Sequence, residues 1–241
     1  MQSLTYRSAI TVRRSFTRVA YCDASLPEEL LETLWTRPES LLGQGELMRD
    51  AGMRRTVRLQ WASQAYVLKY YGELTWRHAL KRAVQESRAW ATWAATHKLI
   101  HAGIATPQPV ACVENRWGPV QRESFFMYRY VEGQTLRSHF VGDVNGVPLE
   151  SLWHQLRDLW QTLRQLRISL WDTHLRNFIV CQAGQVWVID LDKTRYHRTA
   201  YVNAHYQQRA WNRLLRSVAT AEKVRAGLIP DKTKLPKKPK R

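Results

Sequence analysis

Two short apolar runs, NFIV at residues 177–180 and VWVIDL at 186–191, flank the segment CQAGQ. Each run is too short for a stable helix, and their spacing predicts a hairpin with its turn near residues 182–185. Asp172 stands five residues before Asn177, and Asp190 closes the second run. A chain of formal net charge +17 therefore gathers carboxylates and an amide around one hairpin. Such groups cap surface turns in many proteins. They are also hard oxygen ligands, suited to a cation that holds a phosphorylated ligand.

The flanking pattern narrows the fold. Residues 26–35, LPEELLETLW, predict a short helix with Pro27 near its start. RRTVRLQW at 54–61 and SQAYVLKYY at 63–71 predict two strands. Residues 75–102 are helix-compatible, with an approximate stripe of Ala83, Trp90, Ala94 and Leu99 that Gly103 and Pro107 bring to an end. A second hairpin is expected around NRWGP, with SFFMYRYV as its return strand. Leu149, Leu152, Trp153, Leu156, Leu159, Trp160, Leu163 and Leu166 trace one face of a helix over 149–168. Residues 200–226 are again helical. The order is strands, helix, strands, then helices around the short hairpin. It predicts an α+β chain of two lobes joined near residues 129–134, with a simple α+β domain lacking a ligand cleft as the alternative, and it gives no sign of a long parallel sheet.

Composition limits the partners. The 37 Lys and Arg against 20 Asp and Glu call for an acidic partner: nucleic acid, anionic lipid or a phosphorylated substrate. Three scattered cysteines exclude a disulfide framework and an all-cysteine zinc site, and fit a reducing cytoplasm. The first residues lack the apolar core of a signal peptide, and no run of 18 apolar residues occurs. The 11 Trp and 10 Tyr suit core packing or a membrane interface beside basic residues. The end, PDKTKLPKKPKR, reads as a basic, disordered tail.

The spacing Asp172–Asn177–Asp190 resembles the catalytic loop and metal-binding segment of the protein-kinase-like superfamily. Lys69 in YVLKYY and Glu86 in the following helical stretch come in the matching order, and Gly43 and Gly45 precede both. YVLKYY, GIATPQPVA, VIDLDKTR and WNRLLRS resemble bacterial lipopolysaccharide core kinases, the 3-deoxy-D-manno-octulosonic acid kinase and inner-core heptose kinase families. The resemblance implies a bilobal protein-kinase-like fold with a reduced helical C-lobe. Residues 1–130 would form an ATP-binding N-lobe, 131–226 the C-lobe, and 227–241 the tail. It departs from the usual pattern at Leu170, which replaces a histidine, at DLD (190–192) in place of Asp-Phe-Gly, and at an incomplete glycine-rich element.

The implied roles follow. Asp172 would accept or orient the proton of an attacking sugar hydroxyl. Asn177 and Asp190 would hold Mg²⁺ bridging the phosphates of ATP. Lys69 would offset phosphate charge, fixed by an ion pair with Glu86, while Gly43 and Gly45 would approach the phosphates. The segment 127–133 would be a hinge whose backbone meets adenine, with Met127 and Tyr128 packed nearby. Asp192 would support a metal or a neighbouring basic residue, and His174 would make a loop hydrogen bond or contact substrate or phosphate. The implied activity is ATP-dependent phosphorylation of a lipopolysaccharide inner-core sugar at the cytoplasmic face of the inner membrane. The partner would be a lipopolysaccharide core or lipid A-core intermediate, with peripheral contact to anionic lipid and no specific nucleic acid. A small-molecule kinase resembling aminoglycoside phosphotransferases and a catalytically silent kinase-like binding protein are the alternatives.

Overall fold

The computed structural model describes residues 9–72, 86–117, 120–142, 144, 146–226 and 228. The chain divides into two compact units, Met1–Val131 with Leu191–Thr194, and Glu132–Asp190 with Arg195–Arg241.

The first unit is a seven-stranded antiparallel sheet. Its strands are β1 (Ile10–Arg14), β2 (Arg18–Asp23), β3 (Glu46–Asp50), β4 (Arg54–Trp61), β5 (Gln64–Tyr71), β6 (Pro109–Trp117) and β7 (Val120–Arg129). Their spatial order is β1-β2-β6-β7-β5-β4-β3. Helices α1 (Glu28–Thr36) and α2 (Leu41–Gln44) contribute Leu30, Leu34 and Leu41 to a core with Leu68, Phe125 and Met127. Helix α3 (Arg88–His101) contributes Ala89 and Trp93 to a second cluster with Tyr71, Cys112 and Phe126. Alternation along β5 therefore sends Leu68 to one cluster and Tyr71 to the other. A strand covered on both faces must be apolar almost throughout, because each fully buried large side chain contributes about 1.5–3 kcal/mol. Lys69 shares the Tyr71 face, opposite Phe126 in the register, and is the exception that needs a partner.

Helix α3 starts where Ser87 accepts a hydrogen bond from the Trp90 amide at 3.0 Å. The first part of the helix expected over 75–102, including Ala83, lies outside the described residues. The buried face differs from the expected stripe: Thr92 and Thr96 are buried, whereas Trp90 and Ala94 are only half-buried. Both threonine hydroxyls bond back to their own helix, Thr92 to Arg88 O at 2.8 Å and Thr96 to Thr92 O at 2.7 Å. With its hydroxyl satisfied in this way, a threonine can face the interior.

In the second unit, β8 (Gln134–Thr135) leads into α4 (Leu136–Val141) and α5 (Leu149–Gln165). Strands β9 (Ile168–Leu170), β10 (Phe178–Val180), β11 (Val186–Val188) and β12 (Thr194–Tyr196) follow, then α6 (Ala200–Arg225). The expected hairpin is present: β10 pairs antiparallel with β11, with Phe178 opposite Val188 and Val180 opposite Val186. Strand β8 covers its other edge. Gly133 enters that edge so closely that a Cβ there would lie 2.4 Å from Val180 O. Leu152, Leu156 and Leu163 of α5 are buried, as the leucine periodicity predicts. Trp153 and Trp160 both meet Trp211 of α6, with ring centroids 6.1 and 5.0 Å apart. These three tryptophans therefore serve packing. No described helix is long and apolar enough to cross a membrane.

Candidate active site

The loop after β9 carries Asp172. Leu170, standing where a histidine is usual, is buried at the end of β9 and anchors the loop by packing. The Asn177 side-chain amide donates to the Asp172 carbonyl at 2.9 Å, and the Asn177 main-chain amide donates to His174 O at 2.8 Å. The Ile189 amide then donates to Asn177 O at 2.9 Å, which sets Asp190 beside Asn177. The spacing seen in the sequence is thus the spacing of one hydrogen-bonded loop. His174 Nε2 lies 3.6 Å from Asp172 Oδ1, and both side chains keep access to solvent.

Helix α6 fixes this loop from the side. Thr173 Oγ1 donates to Ala210 O at 2.6 Å, and the Leu175 amide donates to Ser217 Oγ at 3.2 Å. Arg213 donates to Trp171 O, and the buried Gln207 donates to Ile168 O. Sequence reasoning missed Thr173, Gln207, Arg213 and Ser217. The available signal was their spacing: residues 207, 210, 213/214 and 217 recur at helical intervals on one side of α6.

Asp190 adopts the left-handed backbone region, with φ 63°. A non-glycine residue there is held by its surroundings at some cost, about 1–3 kcal/mol, and Asp is among the residues that tolerate it best. Strain of this kind collects at functional positions. Asn177 has used its amide nitrogen on the loop, and its Oδ1 takes no hydrogen bond among the described residues. One neutral oxygen and one half-buried carboxylate suit Mg²⁺, which usually takes one or two protein oxygens and completes its shell with phosphate and water. No group of three or more His, Cys, Asp or Glu able to hold a metal occurs among the described residues.

In the first unit, Lys69 Nζ lies 3.1 Å from Asp192 Oδ1. Their side chains are only 11% and 15% exposed. Tyr71 donates its hydroxyl to the same oxygen at 2.7 Å, and Thr92 lies 3.4 Å from it. Burial, reinforced by the Asp192 charge, pushes the Tyr71 phenol well above its ordinary value and keeps it a donor. The expected Lys69–Glu86 pair is corrected here. Glu86 is exposed and precedes α3, and the residue of α3 that faces the lysine's partner is Thr92. Asp192 thereby takes the role of a neighbour to a basic residue.

Gly43, Gly45, Met127 and Tyr128 all fall in or at the ends of regular elements. Gly43 lies inside α2 and Gly45 ends that helix, so neither belongs to a turn between strands. Gly45 is explained by close packing: a Cβ would stand 2.8 Å from Arg58 O. The turn between β3 and β4 instead holds Gly52, at φ 69°. Met127 and Tyr128 lie within β7, paired with β5 and β6. Met127 is fully buried in the α1 cluster, on the sheet face opposite Lys69, whereas Tyr128 packs against the cluster on the lysine's face. The basic tail lies outside the described residues.

A β-rich unit with a buried lysine–carboxylate pair, and a helical unit with an Asp-x4-Asn loop and an acidic hairpin end, define a protein-kinase-like protein. The fold is shared with the solved structure titled "WaaP in complex with acyl carrier protein", at TM-score 0.60 and 19% identity over 85% of this chain and 89% of that one. The sequence pattern of the lipopolysaccharide kinase (Kdo/WaaP) family matches residues 38–231, and the chain belongs to that family. It is 30% identical over 121 residues to the 3-deoxy-D-manno-octulosonic acid kinase of Xylella fastidiosa (strain 9a5c), half of this chain and 46% of that protein. It is 32% identical over 88 residues to the lipopolysaccharide core heptose(I) kinase WaaP of Escherichia coli, 35% and 33% of the two chains. The aligned stretches span less than half the length of these relatives.

Proposed function

We propose that this chain is an ATP-dependent kinase that phosphorylates a hydroxyl of a lipopolysaccharide inner-core sugar, a heptose or 3-deoxy-D-manno-octulosonic acid. The observation that carries the reading is the hydrogen-bonded run in which Asn177 joins the Asp172 carbonyl through its side chain and the Ile189 amide, next to Asp190, through its main chain, in a chain of this family. Asp172 orients the acceptor hydroxyl and takes its proton. Asn177 and Asp190 would hold Mg²⁺, which supplies charge neutralisation on the nucleotide phosphates. Lys69, steadied by Asp192, offsets phosphate charge. The acceptor is a core or lipid A-core intermediate met at the cytoplasmic face of the inner membrane, with peripheral contact through basic residues.

The test is a mass-spectrometric screen of purified core acceptors and free sugars with MgATP. A core product gaining one phosphate is the expected result. Phosphotransfer to small solutes alone would replace this reading with the aminoglycoside-phosphotransferase-like one. Nucleotide binding with no transfer to any acceptor would leave a silent binding protein.

A further inference from the structure

The residue before Asp172 is surrounded by positive charge. The guanidinium carbons of Arg195, Arg213 and Arg209 lie 4.7, 4.9 and 5.5 Å from the Trp171 ring centroid. Arg195 is also 5.3 Å from the ring of Tyr206. The three charges thus fall within roughly a Debye length of one another, close enough to repel. Arg213 is committed to the Trp171 carbonyl. Arg195 and Arg209 are exposed, and neither forms a hydrogen bond or ion pair among the described residues. His197 stacks on Tyr206 at 4.8 Å, and burial together with the Arg195 charge holds its pKa down.

Stacking on an indole uses the face of a guanidinium and leaves its edge N–H groups for planar, bidentate bonding to a carboxylate or phosphate. Cation–π attraction worth about 0.5–1 kcal/mol per exposed pair explains one arginine on the ring. It does not explain gathering several like charges there with no acidic side chain among the described residues paired to Arg195 or Arg209. An anion would. Trp171 and Asp172 are consecutive, with Cα atoms about 3.8 Å apart. The cluster is thus one residue along the chain from the carboxylate that would meet an acceptor hydroxyl.

We infer that Trp171, Arg195 and Arg209 form an oxyanion-binding platform that recognises a carboxylate or phosphate on the sugar acceptor and so selects anionic acceptors. The proposal rests on the kinase reading for its consequence, but its test does not. The full chain is titrated by calorimetry with 3-deoxy-D-manno-octulosonate, its neutral methyl ester and inorganic phosphate. A non-hydrolysable MgATP analogue is present throughout, so that phosphate sites for nucleotide are filled. The same titrations are repeated on the double variant Arg195→Met, Arg209→Met, which keeps apolar stems against the ring. Circular dichroism and Tm check its fold.

The expected result is that the parent binds at least one of the two anions, and that the double variant binds it at least tenfold more weakly. A preference for octulosonate over its ester identifies a carboxylate as the recognised group. A preference for phosphate identifies a phosphoryl group. Binding of neither anion by the parent, or equal binding by parent and variant, overturns the platform. Should the double variant unfold, Arg209→Met alone, with the Trp171 ring intact, is titrated in its place and the same two outcomes decide. Binding of the nucleotide analogue, measured separately, reports on the kinase reading, so the two can fail independently. With active protein, the double variant should also raise the acceptor KM about tenfold while leaving the KM for ATP in place.

Discussion

The two units hold their working residues by different means. Around Lys69, side chains bond side chains: Asp192, Tyr71 and Thr92 meet at one carboxylate oxygen. Around Asp172, side chains of a helix bond the backbone of a loop and of the strand before it, at Trp171 O, Leu175 N and Ile168 O. The first arrangement depends on the identity and charge of each partner. The second fixes the path of the chain and is indifferent to the carboxylate it carries. Chemistry and architecture are therefore entangled in the first unit and separable in the second.

The largest expected effect exploits that separation. Asp172→Asn should reduce phosphotransfer on the order of 10²-fold or more, the scale of positioned acid–base catalysis. Because Asn177 bonds the Asp172 carbonyl and not its carboxylate, thermal stability should stay near the parent's. A large loss of Tm with this variant would break the comparison.

Asp192→Asn tests the other arrangement. The amide keeps its shape but loses the charge that Lys69 and Tyr71 address. A hydrogen bond to a charged group contributes about 1.5–3 kcal/mol. Stability should drop by about that amount, and nucleotide use should fall with it, read as a raised KM for ATP against an unchanged acceptor KM. Urea unfolding and initial-rate kinetics measure the two. An effect on the acceptor KM alone would show that Asp192 does not serve Lys69.

Thr173→Val keeps the volume of a buried side chain and deletes its bond to Ala210 O. The cost should be about 1 kcal/mol. A decline in kcat with both KM values retained is the signature of a loosened loop.

The smallest effect concerns pH. His139 is buried, its ring nitrogens have no hydrogen-bond partner among the described residues, and burial lowers its pKa. The unfolded chain then binds the proton more readily than the folded one. Stability from this group is complete above the unfolded value, about 6.5, and is lost as pH falls below it. His139→Leu should flatten the decline in Tm between about pH 7 and pH 5. Identical slopes in variant and parent would assign the acid sensitivity elsewhere; His97 in the first unit is lowered for the same reason.

What the sequence disclosed follows from what spacing encodes. The hairpin at 177–191 and the helix over 149–165 were legible because period two and period 3.6 are visible in a few letters. The loop's Asp172 and Asn177 were legible because one short loop fixes both. The partner of Lys69 was not, because Glu86 and Asp192 are both carboxylates downstream of the lysine, and only tertiary packing brings Asp192 to 3.1 Å. Gly45 was ambiguous because a glycine needed for close packing against Arg58 O reads the same as one needed for a phosphate. Met127 and Tyr128 were adjacent letters, yet strand alternation sends them to opposite faces.

The ion pair of Lys69 spans 123 residues of chain and is completed by a segment, Leu191–Thr194, that joins the first unit from far downstream. Synthesis at about 5–20 residues per second leaves an interval of roughly 6–25 s between the lysine and its carboxylate. The ion pair cannot exist on the ribosome until most of the second unit has been made. A nascent chain halted before Asp192 would carry the strands of the first unit without the charge that settles its interior lysine. Synthesis order thus leaves the earliest-made unit unfinished until Leu191–Thr194 has been added.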